Sequence, residues 1–179
     1  VLAHERRLAE KVERLRPTAG EAFIIRHHGD LHLGQLLIVK DDIFIIDFEG
    51  EPRRHLEERR RKAPAARDVA GLIRSLDYAA TTALERALKV EADDGFAARA
   101  LDAWREQAIA TVLASYDGAM TDSRLWPADD AARRRMLDFF LLEKAVYEIE
   151  YELAYRPDWL RVPLAGTLRV LSQERDVSA

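Results

Sequence analysis

The chain has 179 residues, of which 48% are hydrophobic and 34% are charged, and this composition suits one globular domain. No stretch approaches the roughly 18 consecutive apolar residues of a membrane-spanning helix, and the charged N-terminal segment is unlike a secretory signal. Because cysteine is absent, disulfides, cysteine–zinc sites and thiol nucleophiles are excluded. The net charge of −4 gives no general attraction to nucleic acid or to an anionic membrane. We therefore expect a soluble, cytoplasmic protein with no nucleic-acid or membrane partner.

The first predicted element is a helix over residues 2–15, where apolar residues recur at helical spacing and Pro17 ends the pattern. Three short apolar runs of strand-like length follow, and the last two are close enough to form a β-hairpin. These runs are residues 23–25, 36–39 and 43–46. A polar loop over 27–35, punctuated by glycine, precedes the hairpin, and a second polar segment begins directly after it at Asp47.

The second half of the chain is predicted to be helical, because its apolar residues recur at helical spacing. A charged stretch from Arg53 to Arg67 leads into it and is interpreted as a solvated loop or an exposed helical turn. The predicted helices begin near residue 69 and cover about 97–116, 133–155 and 162–171. The predicted fold class is therefore α+β, with a small β-hairpin in a mostly helical domain.

Asp30 and Asp47 each lie near the edge of a short predicted strand, and the hairpin between them returns the chain so that both carboxylates can lie at one end of a cleft. Two neighbouring carboxylates repel each other unless a cation or a proton lies between them. In a chain without cysteine, oxygen ligands favour magnesium. Phosphoryl transfer requires this arrangement, because magnesium bridges the nucleotide phosphates while a separate carboxylate accepts the proton of the attacking hydroxyl.

The motif HGDLHLGQ at 28–35 resembles the catalytic loop H-G-D-x-x-x-x-N of aminoglycoside phosphotransferase-like kinases, and IDFEG at 46–50 stands where they carry a metal-binding segment. Together with ERRRK and RDVAGLIRSLDYAA, these motifs are similar to the maltokinase family, which uses ATP to convert maltose to maltose 1-phosphate. The resemblance implies the C-terminal lobe of a kinase over 1–179, with an ATP-binding N-terminal lobe expected before it. Since such kinases are often fused behind a trehalose synthase, we expect a longer polypeptide.

The resemblance also implies roles for individual residues. Asp30 would be the catalytic base, and Asp47 and Gln35 would be the ligands of Mg²⁺, with ATP as co-substrate. Gln35 departs from the family pattern, because it replaces the usual asparagine and adds one methylene. His28 and Asp68 would position the catalytic loop, His28 by packing beneath it and Asp68 by binding its amides. Asp68 also has the position of a first-turn acid of the following helix.

The helix predicted at 133–155 has two distinct faces. Four apolar residues predict the face that packs on the core, namely Leu142, Val146, Ile149 and Leu153. The opposite face combines two phenols with a cation and an anion, namely Lys144, Tyr147, Glu148 and Tyr151. Because sugars stack on aromatic rings beneath charged hydrogen-bonding partners, this face, with Trp159 and Glu49, is the expected site for maltose or a similar neutral sugar. The alternative interpretation is a solvated helix with incidental ion pairs.

The resemblance divides the chain into a helix at 1–16, a catalytic and metal-binding segment at 17–62 and a helical sugar-binding part at 63–179. Another small-molecule kinase of this fold, acting on an aminoglycoside, choline or homoserine, remains an alternative, as does a catalytically silent assembly module. The mixed charge of the sugar face favours a neutral substrate, and the presence of both Asp30 and Asp47 argues against a silent module. The chain alone is expected to fold but to be inactive.

Overall fold

Helices form most of the structure, as the periodicity of the sequence predicts. The computed structural model describes residues 5–18, 20, 22–90 and 94–172. In chain order the elements are α1 (Glu5–Leu15), a 3₁₀ turn (Leu33–Gln35), β1 (Leu36–Val39), β2 (Asp42–Ile45), α2 (Leu56–Arg59), α3 (Ala66–Leu88), α4 (Asp94–Ala119), α5 (Asp130–Tyr155), a second 3₁₀ turn (Pro157–Trp159) and α6 (Arg161–Ser172). The first residues of the predicted helix at 2–15, up to residue 4, lie outside the described residues. None of the described helices is long and apolar enough to cross a membrane.

The predicted β-hairpin is confirmed. β1 and β2 pair antiparallel from Leu36 opposite Ile45 to Val39 opposite Asp42, and the two-residue turn between them includes Lys40 at a positive φ of 57°. The apolar run at 23–25 does not form a strand of its own. Ile25 makes only an isolated bridge with Ala63, which ties the segment before the polar loop to the chain that leads into α3.

The core lies between α3, α5 and the Trp126 side chain. Small residues on α3, such as Ala66 and Ala70, are fully buried and let α5 approach closely, so that Met136 and Phe140 pack against them. A second, smaller cluster joins α1, α5 and α6 through Leu15, Leu142 and Val170. These two clusters fix α3 and α5, the helices that border the polar loop over 27–35.

The predicted core face of α5 is wrong at two of its four positions. Leu142 is buried, but Val146 is 44% exposed and Leu153 is 57% exposed. Two carboxylates, Glu148 and Glu152, are buried on this helix instead. The helical periodicity assigns acidic residues to the solvent, whereas here cationic and phenolic partners from other elements make their burial possible.

The buried carboxylate of Glu148 belongs to an ion-pair network that connects four helices. Arg74 on α3 donates to Glu148 at 2.9 and 2.6 Å and also to Asp77. Asp77 in turn accepts from Arg105 on α4 at 3.4 Å and from Arg169 on α6 at 2.8 Å. Removing one partner from such a buried group leaves an uncompensated charge, so the network strongly constrains how these helices pack.

Candidate active site

The loop over residues 28–35, named the catalytic loop here after the motif it resembles, is supported on its inner side by His28. The side chain is buried, and its Nδ1 accepts a hydrogen bond from the backbone N–H of Asp30 at 3.3 Å. The ring proton is therefore on Nε2, which donates to the carbonyl oxygen of Ile46 at 2.7 Å. The ring also packs against Phe48, with 4.8 Å between the ring centroids. His28 thus joins the backbone at Asp30 to the segment that follows β2.

The start of α3 supports the same loop from a second side. The Asp68 carboxylate accepts from the backbone N–H groups of His28 at 2.6 Å and of Gly29 at 2.9 Å, while Asp68 also lies in the first turn of α3. A Cβ atom on Gly71, one turn further along, would be 2.6 Å from the carbonyl oxygen of Leu31. Only glycine therefore lets α3 approach the loop this closely.

The Asp30 carboxylate faces a cleft between the loop, α3 and α5, and its side chain is only 18% exposed. Its Oδ1 accepts a hydrogen bond from Lys144 Nζ on α5 at 3.2 Å. Its Oδ2 is 4.0 Å from His32 Nε2, which is beyond hydrogen-bonding distance. One oxygen of Asp30 is thus held by a cation, and the other receives no hydrogen bond from the described residues.

Three charged residues that the sequence analysis did not identify complete the cleft. Glu143 on α5 accepts from Arg67 at 2.7 Å and is 3.6 Å from Arg54, and all three side chains line the cleft. Two of them adjoin residues that were identified, since Arg67 precedes Asp68 and Glu143 precedes Lys144. Arg54 gives no such signal, because its approach to α5 depends on tertiary structure.

Tyr147 and Glu51 form the far wall of the cleft. The side chain of Glu51 is 13% exposed and lies 3.9 Å from Lys144 Nζ. Burial raises the pKa of the Tyr147 phenol, and the nearby carboxylate of Glu51 raises this pKa further. The Tyr147 hydroxyl is buried and makes no hydrogen bond of good geometry within the described residues.

Asp47 and Gln35 meet at the base of the hairpin, and Asp47 is not among the residues that line the cleft with Asp30. Gln35 Nε2 donates to Asp47 Oδ2 at 3.0 Å, and Asp47 is held at a positive φ of 63°. The amide oxygen of Gln35 and Asp47 Oδ1 are the remaining oxygen donors of this pair. Within the described residues, no group of three or more His, Cys, Asp or Glu side chains could hold a metal ion. Mg²⁺ in nucleotide sites uses one or two carboxylates plus the phosphates, and the pair fits that chemistry.

The loop also contains His27, His28 and His32, but their geometry does not support a zinc site. Both ring nitrogens of His28 are engaged with the backbone, and His32 Nδ1 accepts from the backbone N–H of Gly34 at 3.0 Å. The His27 side chain is buried, which keeps it away from the open cleft.

Two acidic residues of the predicted sugar face lie elsewhere. Glu148 is buried and accepts from both Nε and Nη2 of Arg74, so the expectation that it lies on an open face with Tyr147 is wrong. Its burial raises the pKa of Glu148, and Arg74 opposes that rise. Glu49 is exposed and does not line the cleft, whereas Glu51, two residues later, does.

Tyr151 and Trp159 do not line the cleft either, and cationic side chains cover their rings. The guanidinium groups of Arg53 and Arg156 lie 5.4 and 5.2 Å from the centroid of Tyr151. Arg156 also lies 5.6 Å from the centroid of Trp159, which stacks on Tyr78 at 6.0 Å. Of the predicted sugar-binding residues, Lys144 and Tyr147 are the two that the structure brings to Asp30.

Comparison with known proteins shows similarity to glucosamine kinases, although no protein-family model matches the chain. The chain is 31% identical over 157 residues to the glucosamine kinase of Streptacidiphilus jiangxiensis, covering 88% of this chain and 34% of the relative. It is 30% identical over 167 residues to that of Mycolicibacterium smegmatis, covering 92% of this chain and 39% of the relative. The chain thus spans little more than a third of the length of these curated relatives.

Solved structures show the same relationship. A glucosamine kinase in complex with glucosamine, ADP and inorganic phosphate superimposes with a TM-score of 0.68 at 25% identity, covering 95% of this chain and 43% of that structure. A second crystal form gives a TM-score of 0.64 at 23% identity. Together with the hairpin, the loop and the helices described above, these matches show that the chain has a kinase-like fold.

Proposed function

We propose that this chain supplies the catalytic carboxylate, the metal-binding segment and the sugar site of an ATP- and Mg²⁺-dependent sugar kinase, with maltose as the substrate. The observation that carries the proposal is the carboxylate of Asp30, which lines a polar cleft and is bound by Lys144 through one oxygen only. The Asp47–Gln35 pair at the base of the adjoining hairpin and the similarity to glucosamine kinases support it.

In the proposed reaction, Asp30 Oδ2 accepts the proton of the sugar hydroxyl while the oxygen of this hydroxyl group bonds to the γ-phosphorus of ATP. The bond between the γ-phosphorus and the bridging oxygen breaks, and ADP leaves with its electron pair. His28 and Asp68 keep the loop backbone in place, so that Asp30 does not move away from the hydroxyl. Bound by Asp47 and Gln35, Mg²⁺ would neutralise charge on the nucleotide phosphates.

We also propose an ATP-binding lobe in the full-length protein. The chain spans only 34% to 45% of the length of the relatives and solved structures that it matches, which leaves room in them for such a lobe. The hairpin carries apolar side chains that are exposed in this chain, including Ile38 at 79% and Ile43 at 61%. Such a contiguous apolar surface is typical of an interface with another domain. We propose that residues 17–62 meet the ATP-binding lobe through this surface, and that 63–179 binds the sugar.

The charge balance of the cleft favours a neutral sugar. The carboxylates of Asp30 and Glu51 share Lys144 within 3.9 Å, and the carboxylate of Glu143 pairs with Arg67 and Arg54. The fourth carboxylate of the cleft, Asp68, accepts from two loop amides, so a cationic ligand would have to compete with existing contacts at each carboxylate. A polyol can instead donate to the carboxylates and accept from the guanidinium groups of Arg54 and Arg67. Maltose fits this requirement, and a trehalose synthase on the same polypeptide would supply it.

Glucosamine is the second candidate, because the similar proteins are glucosamine kinases. Its ammonium group would have to take a share of Glu51 or Glu143 from their present partners. The two candidates therefore differ in one chemical requirement, which is an anionic partner for a substrate cation.

The test is an assay of the full-length protein with ATP, Mg²⁺ and one of four sugars: maltose, glucosamine, glucose or trehalose. ADP formation gives kcat/KM, and mass spectrometry with NMR identifies the phosphorylated hydroxyl. We expect the highest kcat/KM for maltose, with phosphate on its anomeric oxygen. A preference for glucosamine would contradict the maltose assignment while leaving a sugar kinase in place. Phosphorylation of none of the four would contradict the proposed function itself.

A further inference from the structure

The ammonium group of Lys144 contacts protein groups on three sides. Its Nζ is 3.2 Å from Asp30 Oδ1, 3.9 Å from Glu51 Oε2 and 5.3 Å from the centroid of the Tyr147 ring. The first contact is to the catalytic loop, the second is to the segment after the hairpin, and the third is to the next turn of α5. A lysine side chain is normally flexible enough to turn toward a ligand, but these three contacts restrict the ammonium group of Lys144.

The carboxylate that Lys144 holds has a defined orientation as a result. Asp30 Oδ1 is occupied by the ammonium group, and the backbone N–H of Asp30 is fixed by His28 Nδ1. Within the described residues Oδ2 receives no hydrogen bond, and the ring of His32 stays 4.0 Å away. Lys144 therefore fixes the plane of the Asp30 carboxylate about χ2, and this plane sets the direction in which the unpaired oxygen points.

We propose that Lys144 is a positioning residue for Asp30, which it orients so that Oδ2 receives the proton of the substrate hydroxyl. The inference rests on the proposed function, because it needs a phosphoryl transfer with Asp30 as the base. It differs from the expectation that Lys144 binds the sugar. A sugar-binding lysine would direct its ammonium group at the ligand, whereas this one is directed at two carboxylates of the protein.

The other charged groups around the cleft do not provide this contact. Arg54 and Arg67 are both directed at Glu143, and His32 does not reach hydrogen-bonding distance of Asp30. Losing the Lys144 ammonium group would thus leave the Asp30 carboxylate free to rotate. We expect the rate of the chemical step to fall, while binding of the sugar changes little.

The test compares Lys144→Met, Lys144→Arg and Lys89→Met in the full-length protein. Methionine keeps the unbranched stem but removes the charge, arginine restores a cation, and Lys89 at the far end of α3 is the matched control. We expect Lys144→Met to lower kcat on the order of 10- to 100-fold, the scale of a misplaced catalytic group, with KM for the sugar little changed. Lys144→Arg should recover part of the lost kcat, and Lys89→Met should behave as wild type.

A double variant tests whether Lys144 acts through Asp30. In an Asp30→Asn background, Lys144→Met should lower kcat little further, because the group it positions is already inactive. A raised KM for the sugar with unchanged kcat, or a full additional loss in the double variant, would overturn the inference. An inactive wild-type protein would instead contradict the proposed function. Thermal unfolding of each variant ensures that only folded proteins are compared.

Discussion

Replacing Gly71 with alanine should disturb the catalytic loop more than it disturbs the stability of the chain. The new Cβ would lie 2.6 Å from the carbonyl oxygen of Leu31, which is a backbone atom, and ordinary contact begins near 3.4 Å. α3 and the loop must therefore separate by about 0.8 Å. Leu31 directly follows Asp30, so this displacement reaches the proposed base.

The expected loss of stability is small, whereas the expected loss of kcat is large. Forcing one carbon into a packed position lowers the free energy of unfolding by about 1–3 kcal/mol. Alanine in a helix contributes about 1 kcal/mol more stability than glycine, so the net loss in the free energy of unfolding is modest, on the order of 0–2 kcal/mol. A displacement of nearly 1 Å at a catalytic group can lower the rate about 100-fold. We expect kcat to fall on the order of 10- to 100-fold in a protein that remains folded.

Gly118→Ala provides the matched control. Gly118 lies in α4, where a Cβ atom would have no neighbour within 4 Å, so this substitution should stabilise the chain slightly and leave kcat unchanged. Urea denaturation gives the free energies of unfolding, and a steady-state assay of the full-length proteins gives kcat. If Gly71→Ala retained the wild-type kcat, the close approach of α3 to the loop would have no role in placing Asp30.

Three further substitutions test the supports around the site. Asp68→Ala removes the acceptor of two loop amides and should lower the free energy of unfolding by about 2–4 kcal/mol in urea denaturation; a loss under about 1 kcal/mol would contradict this role. Gly166→Ala would place a Cβ atom against the Arg74 guanidinium and should cost about 3–5 kcal/mol by leaving buried charges unpaired, whereas a wild-type midpoint would show that Arg74 can move. Burial raises the pKa of Asp138 to about 6 from 3.8, against the opposing charges of Lys11 and Arg134. The unfolded chain therefore loses this proton first as the pH rises, and stability falls between about pH 4 and pH 6. Because the carboxyl is partly exposed, Asp138→Asn should be about 1–2 kcal/mol more stable than wild type at pH 7 and equal to it at pH 4; a gain that does not depend on pH would refute the assignment.

The hairpin, and the two aspartates that precede and follow it in the chain, could be predicted from the sequence because their signals are local. Alternating short apolar runs around a two-residue turn specify β1 and β2, and Asp30 and Asp47 follow from motifs of a few residues. The contacts of His28 are local as well, since they involve Asp30 and the hairpin that directly follows the loop.

The sugar face of α5 could not be predicted in full, because its partners come from distant parts of the chain. The sequence pattern predicts Glu148 as a surface residue, but Arg74 from another helix binds its carboxylate. The pattern also predicts an exposed ring for Tyr151, but the guanidinium group of Arg53 covers this ring. Helical periodicity carries no information about such long-range pairs, and the same limit hid Arg54.

The central claim is that Asp30 is the base of a phosphoryl transfer, and one measurement tests it most directly. The full-length Asp30→Asn protein is compared with wild type in a single-turnover assay with ATP, Mg²⁺ and maltose, and nucleotide affinity is measured in parallel by calorimetry. We predict that the rate of phosphoryl transfer falls about 10²- to 10⁴-fold while ATP affinity stays close to that of wild type. An Asp30→Asn protein that transfers phosphate at the wild-type rate would contradict the account.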